Sequence, residues 1–225
     1  MVVLISGISF LGYVLIKLVG SRQGIGLTGL LGGLASSTAV TLSFAQRSQK
    51  ENQLAKPFAL AILIAWTIMF GRVLVEVLVT NPPLLGVVWL PIVAAGLMGL
   101  TYGVYLYATQ RTGETDSVAV SNPFELGPAI TFGLLYGVIL LAAYLSSILS
   151  GLADVDAITL SMAELSRTGN LELTTAARAI VLATMSNTVV KGGIVLGSGS
   201  PALRRALLPG FLLILATGIT LAFII

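Results

Sequence analysis

About eight apolar stretches of bilayer-crossing length follow one another along these 225 residues, and no other feature narrows the fold so far. With 56% hydrophobic residues, 9% charged residues and a mean hydropathy of +1.00, the chain lies outside the range of soluble globular domains. The runs are long and continuous rather than short and alternating, which favours helices over a closed barrel. The expected fold is an all-α polytopic membrane protein. The chain has no cysteine and no histidine, so disulfides, thiolate chemistry and the commonest metal ligand are excluded. A net charge of +3 fits contact with anionic lipid headgroups and gives no footprint for nucleic acid.

Inside this apolar chain one segment is written twice. Gly151 to Ser166 matches Gly33 to Ser48 at an offset of 118 residues, with nine of sixteen positions identical. Ser36 and Thr38 stand where the second copy has Asp154 and Asp156. At the same offset Ala59, Ala61, Ile62 and Ala65 meet Ala177, Ala179, Ile180 and Ala183, and Pro83 and Pro91 meet Pro201 and Pro209. Upstream the register becomes 122, where Ile8-Ser9-Phe10 meets Ile130-Thr131-Phe132. The expectation is two tandem four-helix repeats, residues 1–108 and 122–225, joined by a polar connector at 109–121. Four crossings are an even number, so the copies should run parallel, related by an axis along the membrane normal. The first copy looks short at its start, as though the chain begins inside it.

Loops on the side of both termini would hold Arg47, Lys50, Lys56, Arg111, Arg167 and Arg178, against Lys17, Arg22, Arg204 and Arg205 on the other. That balance places both termini in the cytoplasm.

Five ionisable residues fall within the apolar runs: Arg72, Glu76, Asp154, Asp156 and Lys191. Each costs about 2.5–3.5 kcal/mol at a helix centre, so together they must pair, neutralise or meet water. Arg72 and Glu76 are one turn apart and can answer each other. Lys191 has no acid on its own helix and can take one from the aspartate segment. Two bases against three acids leave one negative charge, to be met by a proton or a bound cation. Residues two apart on a helix point about 200° from each other, so a regular helix cannot aim Asp154 and Asp156 at one ion. Either the two acids have different roles or the helix breaks near Gly151, and Gly32-Gly33 would permit the same break before Ser36-Ser37-Thr38.

The ion-binding candidates are therefore Asp154, Asp156, Ser36, Ser37, Thr38, Thr41, Thr159 and Asn187, with Arg72, Glu76 and Lys191 tuning their charge. Asp154 and Asp156 are the metal candidates, for a hard cation that accepts carboxylate and hydroxyl oxygens. Each has a structural reading beside it. The hydroxyls can bond back to helix carbonyls, and the charges can serve packing alone.

Gly26 to Thr41, Asp154-Val155-Asp156-Ala157-Ile158-Thr159, Ser186-Asn187-Thr188 and Lys191-Gly192-Gly193 together resemble a membrane domain of unassigned function. That domain is usually found behind an MgtC/SapB-type membrane domain. The resemblance spans essentially the whole chain and implies an MgtC-like partner, magnesium homeostasis as a theme, and no settled activity.

The expected function is a transporter or channel for inorganic cations, magnesium-like or proton-coupled, with its site between the repeats. The alternatives are a non-transporting regulatory membrane subunit and an anion or small-solute pathway. An enzyme is not expected, since an intramembrane aspartyl protease needs facing acids on different helices. The partners are the lipid bilayer, an inorganic ion, and an MgtC-like domain or further copies of the chain. No organic cofactor is called for.

Overall fold

The computed structural model describes Val14, Leu15, Leu18 and residues 21–109 and 155–225. Asp154 and Gly151, nearly all of the connector, and nearly all of the first expected span (about 2–19) and the fifth (about 126–149) lie outside the described residues, whereas the second (about 25–45) lies within them. Among the described residues there are six α-helices: α1 (Ser21–Lys50), α2 (Ala55–Thr80), α3 (Pro82–Ala108), α4 (Val155–Arg167), α5 (Leu173–Ser198) and α6 (Pro201–Ile224). A single 3₁₀ turn, Asn52–Leu54, joins α1 to α2. No strand occurs among the described residues. Five of them, all but α4, are long and apolar enough to cross a membrane; the described part of α4 covers 13 residues.

Proline and small polar residues set the hairpin turns. Pro82 and Pro201 occupy first-turn positions, where a missing N–H costs nothing, and Ser200 Oγ caps α6 by accepting from the Leu203 N–H at 3.3 Å.

Length and hydropathy make α1 a crossing; its contacts make it a hairpin. A Cβ on Gly29 would lie 2.5 Å from the Ala61 carbonyl oxygen, and one on Gly33 would lie 2.8 Å from the Ala65 Cα. Through this pair of small-residue contacts the first half of α1 runs alongside α2 in the same direction. Further on, Thr41 meets Trp66 and Phe44 stacks on Phe58 at 5.1 Å, so the second half runs against α2. In a straight helix Gly29 and Phe44 would be about 22 Å apart, whereas their partners Ala61 and Phe58 are separated by only about 4.5 Å. The reversal occurs at Ser36, whose φ of −164° and ψ of 106° are extended, not helical. Gln23 near the start of α1 accordingly lines the same groove as Leu60 and Tyr107, at the end where Lys50 also lies. The second expected span therefore enters and leaves by one face. The break falls three residues beyond the glycine pair expected to permit it.

Three further contacts fix the direction of α5. The Ser200 N–H donates to Ser48 Oγ at 2.8 Å and Gln49 Nε2 to the Ser198 carbonyl at 3.2 Å, which brings the α5–α6 turn to the hairpin's face. On the opposite face Asn81 Nδ2 donates to the Ala163 carbonyl at 3.2 Å, bringing the α2–α3 turn to the end of α4. Were α5 parallel to α2, the Ser200 turn would sit about 39 Å from Ser48, the length of a 26-residue helix. The expected parallel arrangement is thus corrected: α2 and α5 run in opposite directions. It depended on counting two crossings between α3 and α5. The chain leaves α3 on the face of Lys50 and enters α5 on the face of Asn81, and that takes an odd number of crossings.

The centre is closed by glycines facing large side chains. A Cβ on Gly99 would come 2.9 Å from Ile214 Cδ1, and one on Gly192 would come 2.6 Å from the Phe211 ring. Phe211 also meets Trp66 edge-on at 6.1 Å, tying α6 to α2.

Candidate ion site at the helix break

Ser36 ends one half-helix and caps the next. Its Oγ accepts from the Ala39 N–H at 3.2 Å, as an N-cap does, and this compensates one of the backbone donors that the reversal leaves without a helical partner. The capped half-helix then begins with Ser37, buried, and Thr38, half-buried. One turn on, Thr41 Oγ1 donates to the Ser37 carbonyl at 2.8 Å and accepts from Trp66 Nε1 at 2.9 Å. Thr41 is fully buried, and its hydroxyl fixes the hairpin against α2.

The opposing element is α4. Thr159, also fully buried, donates to the Val155 carbonyl at 2.9 Å, repeating the local bond of Thr41. Asp156, in the first described turn, accepts from Arg72 on α2 in an ion pair between the two helices. The Arg72 and Asp156 side chains are 33% and 27% exposed, which makes the pair half-buried and open to exchange. The sequence pairs Arg72 with Glu76 on its own helix, but the ion pair that defines the site crosses from α2 to α4. Glu76 lies one turn further along α2, half-buried.

Lys191 on α5 is 1% exposed. Its Nζ donates to Met69 Sδ at 2.6 Å, and Asp156 and Arg72 both act on it electrostatically. A thioether is a weak acceptor and carries no charge, so the contact positions the ammonium without neutralising it. Asn187 is buried one turn before Lys191, flanked by Thr184 and Thr188, whose hydroxyls bond back to their own helix.

The second half of α1 and α5 run side by side in the same direction. Stepping back equally from the Ser48–Ser200 contact brings Ser36 level with Thr188. The hairpin tip, the start of described α4, Met69 and the Asn187–Lys191 turn thus share the middle of the bundle. The structure brings Ser36, Ser37, Thr38, Thr41, Asn187 and Lys191 to one depth, and Asp156 to Arg72 and Lys191. Asp154 lies outside the described residues. Among the described residues no group of three or more metal-ligating side chains occurs, so Asp156 is not part of a carboxylate cage there. Chemically the arrangement offers hydroxyl and freed carbonyl oxygens, a half-helix N-terminus, and a carboxylate already occupied by a protein cation.

Two residues were missed in the sequence, Met69 and Trp66. Met69 stands 118 residues before Asn187, so the duplication marked its position, whereas Trp66 looks like any aromatic in an apolar run.

A family model matches residues 3–199, and its description is Domain of unknown function (DUF4010). The chain belongs to the DUF4010 family. An uncharacterised protein of Aquifex aeolicus is 35% identical to this DUF4010 protein over 192 residues, which cover 79% of the chain and 84% of the relative. No solved structure matches.

Proposed function

We propose that this DUF4010 protein moves an inorganic cation across a prokaryotic plasma membrane, along a path between two inverted repeats. The observation that carries the reading is the interrupted helix α1. Its tip ends at mid-depth in a bundle where Arg72 on α2 engages the Asp156 carboxylate on α4. Interrupted helices at the interface of inverted repeats are a recurring way to build an ion site in the middle of a membrane.

The repeat reading is supported by the helix bounds. α2 and α5 are both 26 residues long and start 118 residues apart, the offset of the duplicated segment. Helix neighbours also pair under the exchange of α1, α2 and α3 with α4, α5 and α6. α1 touches α5 as α4 touches α2, and α2 touches α6 as α5 touches α3. With the first and fifth spans of the sequence added, each repeat has four segments of which one returns, leaving three crossings and an inverted copy.

In this reading Arg72 holds Asp156 while the site is empty, and an entering cation or proton displaces it. Ser36, Ser37 and Thr38 supply neutral oxygens, and Lys191 sets how strongly the site holds positive charge. Purified protein in liposomes should carry a flux of magnesium, potassium, sodium or protons, and Asp156→Asn should reduce it at least tenfold with the melting transition retained. A flux unchanged by Asp156→Asn removes the carboxylate from the mechanism.

One observation favours an anion instead: the half-helix N-terminus at Ser37, together with two nearby bases. Reversal potentials under asymmetric salt separate the readings, since their sign follows the permeant ion. An MgtC/SapB-type partner belongs to the same proposal and would be recovered stoichiometrically by affinity purification.

A further inference from the structure

With α1 folded back and α5 inverted, the basic residues near the membrane faces sort differently from a chain that crosses at every apolar run. Arg47 and Lys50 lie at the end of α1, Lys56 at the start of α2, and Arg204 and Arg205 at the start of α6. The Ser48–Ser200 and Gln49–Ser198 contacts put all five on one face. The opposite face, marked by the Asn81–Ala163 contact, carries Arg167 at the end of α4 and Arg178 in the first turns of α5. Arg167 is itself bonded to Glu164 on its own helix, at 2.6 Å and 2.7 Å. Arg22, at the start of α1 beside Gln23, is returned to the first face by the hairpin, so the bias among the described residues is six against two. Bases near short loops decide orientation, while acids contribute little.

We propose that the α1 hairpin opens to the cytoplasm and that α6 ends on the outer side of the membrane. Helix α4 then descends from mid-depth to the outer face. The Ser36 tip serves the cytoplasmic half of the pathway, and Asp156 on α4 serves the outer half. The orientation stands on charge and topology alone. Only the assignment of the two halves rests on the ion-pathway reading.

The chain lacks cysteine, so one introduced thiol is its sole reactive site. Gln23→Cys, Lys50→Cys, Arg205→Cys and Asn170→Cys all replace exposed residues. They are treated in intact cells with a membrane-impermeant maleimide, then again after permeabilisation, with labelling in denaturant to confirm each thiol. Asn170→Cys should label in intact cells, and the other three only after permeabilisation. The reverse pattern overturns the orientation. Gln23 and Lys50 on opposite sides would overturn the hairpin, and Lys50 and Asn170 on the same side would overturn the inversion. No flux is measured, so a failed ion assay and a failed topology read out separately.

Discussion

The α1–α5 and α2–α4 interfaces are built alike and charged differently. In each, a helical segment, residues 37–50 of α1 or the described α4, runs alongside a long helix from the other half of the chain. In each, its end is latched to a turn, Ser48 to Ser200 in one and Ala163 to Asn81 in the other. Each short helix buries a threonine bonded back to its own carbonyls, Thr41 and Thr159. Under the proposed repeat, however, the α2–α4 pair Arg72–Asp156 falls at Val190–Thr38 in α1–α5. One interface is joined by an ion pair, and the matching positions of the other hold an exposed Val190 and a half-buried Thr38. The framework is shared, and the chemistry is concentrated in one half.

The hairpin of the first interface depends on contacts too close for any added side chain. Gly29→Leu forces a branched chain into the Ala61 backbone, which cannot retreat as a side-chain tip could. A loss of about 3 kcal/mol or more is expected, seen as a large drop in melting temperature or as failure to fold. A near-normal melt would mean that the two halves of α1 do not lie against α2 as described.

The second interface depends on its ion pair. Arg72→Gln should destabilise by about 1–3 kcal/mol, the cost of an orphaned buried carboxylate reduced for partial exposure. Adding Asp156→Asn should return at least half of that loss, because the carboxylate that lost Arg72 is then neutral. Additive losses in thermal denaturation would deny that the two side chains answer each other.

The matched threonines give a smaller and sharper contrast. Thr41→Val leaves the buried Trp66 N–H without its acceptor, at about 1–3 kcal/mol. Thr159→Val removes only a bond within its own helix, and should cost less than about 1 kcal/mol. Equal losses would erase the distinction between the interfaces. Ser36→Ala is expected to cost about 1 kcal/mol as a lost N-cap, while Ser36→Asp should hold near the parent.

The sequence alone determined the apolar runs, the duplication at an offset of 118, and the concentration of hydroxyls and acids in the duplicated segment. It also allowed, as one of two alternatives, a break near Gly32-Gly33, within three residues of where the chain turns. These follow from hydropathy and local helix chemistry, which a residue carries wherever it is placed. The tertiary structure alone decided that α1 returns to its own face, that α5 opposes α2, and that Arg72 reaches across to Asp156. A crossing and a returning hairpin have the same composition and helix propensity. Only the packing of Gly29 and Gly33 on Ala61 and Ala65, with Thr41 and Phe44 coming back against Trp66 and Phe58, distinguishes them. That is also why Gly33 to Ser48, read as a stretch crossing the membrane, is instead the tip and returning arm of a re-entrant helix.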